Sequence, residues 1–215
     1  MATIPRPIDK RLATPHPGNR TDLRGHPDLS LFSPGLPEQA GEAFEVGDVK
    51  TFLGSGPTRL AAAILFWNFH ALRAHGLYEK ALLAGLRAMA NVPEAWGDVW
   101  LYLFERGDPK ALRALSDPFP HAGPFVLYRG IAGEGRSRDE RGLCWTESLE
   151  RARWYAERFH LAKPRVLRVR LPTHQILAYL ADPGEEQFLV LLPESAGHIE
   201  MWPTDSLRAR RQATR

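Results

Sequence analysis

The hydrophobic period of this chain changes near Pro120, and that change limits the folds open to it. From Pro57 to about Asp117 apolar residues recur at helical spacing. "PTRLAAAILFWNFHALRAHG" opens with Pro57, which suits a first helical turn, and stops at Gly76, a usual helix terminator. "LYEKALLAGLRAMAN" carries Leu77, Ala81, Leu82, Leu86 and Met89 close to a 3.6-residue repeat. "PEAWGDVWLYLFERG" puts Trp96, Val99, Trp100 and Leu103 on one side, and "DPKALRALSD" makes a short fourth segment. Aromatic residues at that spacing read as core. After Pro120 the runs shorten: "PFVLYRG", "GLCW", "RVLRVRLP", "QILAYLA", "QFLVLLP" and "HIEMWP" predict strands broken by Gly and Pro. One helix interrupts them, "SLERARWYAERFH", with Ser148 as N-cap and Ala152, Tyr155, Ala156 and Phe159 as its apolar face. Strands, one early helix, then more strands predict an α+β chain with an antiparallel sheet or split sandwich. The expected organisation is an extended Pro/Gly-rich arm over residues 1–50, a helical lobe over 51–120 and a β domain over 121–215 with a basic tail.

Composition narrows the setting. With one cysteine, Cys144, no intrachain disulfide can form, and no CxxC or Cys/His cluster points to zinc. The longest apolar run, Leu60 to Trp67, is too short to cross a bilayer, and the N-terminus lacks the apolar core of a signal peptide. The expectation is a soluble, cytoplasmic protein without metal or membrane contact. Residues 1–120 hold 13 Lys/Arg and 13 Asp/Glu, so residues 121–215, with 15 and 12, carry the whole net charge of +3. The tail "RARRQATR" contributes four arginines, which read first as a solvated terminus and leave nucleic acid open as a partner.

Three segments carry candidate chemistry: "VLYRG", "GLCWTESLERARWYAERF" and "GEEQFLVLL". In this order and spacing they resemble the ADP-ribosyltransferase superfamily, in its Arg–Ser/Thr–Glu class of bacterial toxins and effectors. The resemblance covers residues from about 124 to 193. It implies a C-terminal ADP-ribosyltransferase-like split β-sandwich with the helical lobe packed on it, and NAD as co-substrate. Arg129 looks like the family arginine, whose guanidinium fork suits the NAD diphosphate, and Gly130 would let the backbone approach the ligand. Tyr128 precedes them. Cys144-Trp145-Thr146 is similar to the Ser-Trp-Thr form of the family's central segment, where a hydroxyl braces the nicotinamide ribose. Thr146 keeps that hydroxyl and Cys144 offers a weaker donor. Thr146 and Ser148 read equally as helix-capping residues. Trp145 and Tyr155 are core by their pattern and nicotinamide-flanking aromatics by the resemblance.

The third segment carries the bond-breaking step. Cleaving the bond between nicotinamide and ribose passes through an oxocarbenium-like state, which a carboxylate on the ribose hydroxyl stabilises. In the family that glutamate immediately precedes the apolar strand, often as the second Glu of Glu-x-Glu. Alignment on the run Phe188–Leu192 puts Glu185 at the first place, where it would orient the acceptor, and Gln187 at the catalytic one. An amide can hydrogen-bond a hydroxyl and cannot supply negative charge. Three readings stay open: Gln187 replaces an original Glu, Glu186 does the work after a one-residue shift, or the chain binds NAD without cleaving it. The resemblance further implies a macromolecular acceptor, RNA, DNA or protein, and by family habit an antitoxin or immunity protein; with water as acceptor it would be an NAD glycohydrolase. No histidine stands at the place of Arg129, which argues against the His–Tyr–Glu branch, and no GxGxxG indicates a Rossmann domain.

Overall fold

The computed structural model describes residues 25–88, 97–133, 142–158, 160–182, 185–192 and 200–203. The chain divides into two compact units at Gly107/Asp108. The first is helical. α1 (Pro37–Glu45) starts on Pro37, with Glu38 in its first turn where the helix dipole favours negative charge. Gly47, at φ +71°, turns the chain into α2 (Val49–Gly54). Asp48 caps α2 by accepting from the Thr51 N–H at 3.1 Å and the Thr51 hydroxyl at 2.7 Å, and these bonds hold its carboxyl below the ordinary 3.8. α3 (Ala61–Trp67), α4 (Phe69–Ala74), α5 (Tyr78–Ala88) and α6 (Gly97–Phe104) follow among the described residues. Phe44, Phe52, Ile64, Leu65, Leu72 and Leu82 are fully buried in it.

Two expectations for this region change. Residues 37–54 are not an extended arm: α1 and α2 bury Ala40, Phe44, Val49 and Phe52. Proline there opens a helix rather than an extended strand. The helix read through Pro57 to His75 is broken at Asn68, which is 1% exposed. Its amide donates to the Ile64 carbonyl at 2.9 Å and the Asp28 carbonyl at 3.1 Å, and its Oδ1 accepts the Asp28 N–H at 2.6 Å. The side chain competes with the helix ladder and ties the segment before α1 to the bundle. Residues 1–24, Met89 and Trp96 lie outside the described residues.

The second unit begins one helix earlier than the change of period at Pro120. α7 (Pro109–Ala114), capped by Asp108, belongs to it: the Arg113 guanidinium donates to the Ile176 carbonyl at 3.0 Å and the His174 carbonyl at 2.9 Å. Among the described residues six strands follow: β1 (Phe125–Ile131), β2 (Cys144–Trp145), β3 (Arg165–Leu171), β4 (Ala178–Asp182), β5 (Glu185–Leu189) and β6 (Glu200–Pro203). They form two antiparallel three-stranded sheets, ordered β1-β3-β6 and β2-β5-β4. Alternation sends Phe125, Leu127, Leu167, Val169, Trp145, Tyr179 and Phe188 into one shared core. α8 (Leu149–Glu157) covers the other face of β1 and β3 with Ala152, Ala156 and Leu149 against Tyr128 and Val166. The chain is thus α+β with small antiparallel sheets. Among the described residues no helix is long and apolar enough to cross a membrane, and no group of three His, Cys, Asp or Glu could hold a metal.

Candidate functional site

Among the described residues, one backbone bridge joins the two sheets. Tyr128 on β1 and Thr146, just past β2, exchange backbone hydrogen bonds at 2.7 and 2.9 Å as an isolated bridge. Residues two apart on a strand send their main-chain groups to the same edge, so the Cys144 carbonyl also points toward β1. There Arg129 takes it: Nη1 donates at 2.9 Å, where a continuous ladder would supply a main-chain N–H. The guanidinium therefore lies in the seam between the sheets. Gly142 makes room for it, since a Cβ there would sit 1.9 Å from Arg129 Nη2. Gly142 also accepts the Trp145 indole N–H at 2.8 Å, locking the loop into β2.

On the far side of β2, Cys144 pairs with Leu189 and Trp145 with Phe188. One further step of that register sets Thr146 opposite Gln187. A row thus runs Tyr128, Thr146, Gln187, Leu180 across β1, β2, β5 and β4. Thr146 is buried, and its Oγ1 accepts the Ser148 N–H at 3.1 Å while Ser148 accepts the Arg151 N–H at 3.1 Å to cap α8. Both act in the helix start, as one of the two readings had it. A hydroxyl that accepts one bond still carries a proton to donate.

The acidic corner is part of the strand rather than a turn ahead of it. Glu185, Glu186 and Gln187 pair with Asp182, Ala181 and Leu180 in the β4–β5 hairpin. Gln187 is half-buried on the side of Thr146, and Glu186 is exposed on the opposite face, that of Phe188 and Tyr179. Burial pushes the Tyr179 phenol above its ordinary 10.0, and the negative charges of Glu186, Glu147 and Asp117 push the same way. Glu147 was not singled out in the sequence, although it stands between Thr146 and Ser148. Its Oε1 receives the His121 Nε2–H at 3.0 Å; the Gly123 N–H donates to His121 Nδ1 at 3.1 Å, which assigns the imidazole proton to Nε2.

Two assignments need correction. Gly130 does not clear space for a ligand: a Cβ there would lie 1.8 Å from the Ala152 carbonyl oxygen and 2.6 Å from the Ala156 nitrogen, so this glycine admits the backbone of α8. Trp145 is 2% exposed with its indole N–H bonded, which makes it core and leaves no ring face for a nicotinamide. Tyr155 stays half-buried on α8, with the Arg158 guanidinium 4.5 Å from its ring centre. Arg129, Cys144, Thr146, Tyr128 and Gln187 thus lie on three neighbouring strands at the seam, on two faces: Arg129, between core-facing Leu127 and Ile131, shares the core side with Glu186, while Tyr128, Thr146 and Gln187 lie on the other. Comparison with protein-family models, curated proteins and solved structures finds no match to this chain.

Proposed function

We propose that residues 108–215 form an ADP-ribosyltransferase-like split β-sandwich that binds NAD at the β1–β2 seam and transfers ADP-ribose to a macromolecular acceptor. One observation carries the reading. The three sequence segments that suggested it, dispersed over about 60 residues, converge on adjacent strands and meet where the sheets part. A ligand there would find a guanidinium for its diphosphate and a hydroxyl for its ribose. Breaking the bond from nicotinamide nitrogen to ribose C1 sends the electron pair to nicotinamide; the acceptor nucleophile then attacks C1 and gives up its proton. The half-charged corner offers two candidates for stabilising the cation. Gln187 stands beside Thr146 but lacks charge; Glu186 has charge and occupies the other face of β5.

A second reading rests on Gln187 itself. An amide at the position facing Thr146 suits hydrogen bonding without cleavage, which would make the unit an NAD-binding module. Nicotinamide release and NAD binding, measured on the present sequence, Glu186→Gln, Gln187→Glu and Arg129→Lys, separate these readings. Release by the present sequence that disappears in Glu186→Gln assigns the work to Glu186. Release only by Gln187→Glu assigns it to position 187. Release that needs no acceptor indicates a glycohydrolase, and binding without release in every variant indicates the binding module. Absence of NAD binding throughout overturns the proposal, as does unchanged affinity in folded Arg129→Lys.

A further inference from the structure

We propose that the outer flank of α8 is a docking strip for a single-stranded polynucleotide; its role as ADP-ribose acceptor rests on the transfer reading above. Between Arg151 and Arg170 the chain carries seven Lys/Arg and one acidic residue, Glu157. α8 itself holds Arg151 and Arg153 against Glu150 and Glu157, and these charges are sorted by face. Ala152 and Ala156 are the buried positions, pressed against β1. At about 100° per residue, Trp154, Arg158, Arg151 and Tyr155 fall within one arc of about 100° on the flank away from those alanines. Glu150 and Glu157 fall outside that arc. Trp154 is 58% exposed, a large apolar surface left in water on a short helix.

Its neighbours hold it in a defined pose. The Trp154 and Tyr155 rings meet edge to face at 5.1 Å, and the Arg158 guanidinium lies 5.4 Å from the first ring centre and 4.5 Å from the second. Strand β3 carries further charge on the sheet face beneath α8. Arg168, paired with Tyr128, and exposed Arg170 follow Val166 on the face that α8 covers. A cationic strip with an exposed ring beside a guanidinium matches a phosphate backbone with unpaired bases. Paired bases keep their faces inside the duplex, so the indole selects a single strand. An acidic protein segment would satisfy the charge and leave Trp154 unused. The strip begins at Arg151, whose N–H caps onto Ser148, two residues from Thr146, so a bound strand would end beside the seam.

The test uses the full chain without NAD and follows the anisotropy of fluorescein-labelled 12-nucleotide single strands, RNA and DNA in separate arms, against a duplex of equal length and against polyglutamate. Single strands are expected to bind best, with log K falling linearly in log salt by about 0.7 per phosphate neutralised. Trp154→Ala is expected to weaken binding about 5- to 100-fold. Arg158→Gln and Arg170→Glu are expected to weaken it and to flatten the salt slope, with the circular dichroism of each variant unchanged. The RNA and DNA arms tell which polymer is preferred. Preference for duplex or polyglutamate, binding indifferent to Trp154→Ala in a folded variant, or no binding at about 0.15 M salt would overturn the proposal. Because NAD is absent, failure here leaves nicotinamide release untouched, and failure of release leaves the binding result standing.

Discussion

At the scale of the residue, the seam depends on two glycines and one arginine. Arg129 supplies a donor where the ladder between β1 and β2 ends, and Gly142 is flat enough to let it lie there. Gly130 serves packing instead: it lets α8 approach β1 at backbone distance. Gly130→Ala is therefore expected to lower stability by at least about 1–3 kcal/mol through overpacking, read as a lower urea midpoint at unchanged slope. A pure ligand-contact role would leave the midpoint where it is. Tyr179 makes a second prediction. Its folded phenol titrates above 10.0 and the unfolded one near 10, so the contribution is full below pH 10 and is lost as pH rises toward the raised value. Tyr179→Phe is expected to flatten the fall in stability above about pH 10, and urea titrations from pH 8 upward check it.

At the scale of the element, side chains that compete with the backbone decided boundaries that periodicity left open. The apolar repeat from Pro57 to His75 continues through Asn68, yet Asn68 spends its amide on Ile64 and Asp28 and splits the run into α3 and α4. Strand β5 shows the opposite case. Apolar composition placed its start at Phe188, whereas pairing with β4 carries it back to Glu185. A charged residue can join a strand whenever its partner strand offers the hydrogen bonds and one face stays open to water. Phe188, Val190 and Leu192 do share the core face, as alternation predicts. Leu189, opposite Cys144 and Ala178, is fully buried on the other face. Leu189→Ala is expected to cost about 2–5 kcal/mol, seen in denaturant unfolding. A cost below about 1 kcal/mol would mean that this face of β5 is not covered.

At the scale of the whole molecule, the division at Gly107/Asp108 follows from where α7 finds its partners. Leu112 is fully buried, Arg113 bonds the carbonyls of His174 and Ile176, and the Asp117 carboxylate accepts the Ala181 N–H at 2.8 Å. A fragment of residues 108–215 is expected to unfold with a higher urea midpoint than a fragment of 121–215, which lacks all of these contacts. Equal midpoints would show that α7 contributes nothing to the β unit.

Element types were legible in the sequence alone: the helical repeat before Pro120, the short apolar runs after it, Ser148 at the start of α8, and so an α+β chain. Each of these depends on near neighbours along the chain, where a 3.6- or 2-residue period and a capping hydroxyl are sufficient signals. What Gly130, Trp145 and Glu147 do was decided only in three dimensions. Their roles come from partners far off in sequence: the backbone of α8, the Gly142 carbonyl closing a loop, the imidazole of His121. Sequence pattern reports which face a residue occupies; only the folded chain determines what meets it there.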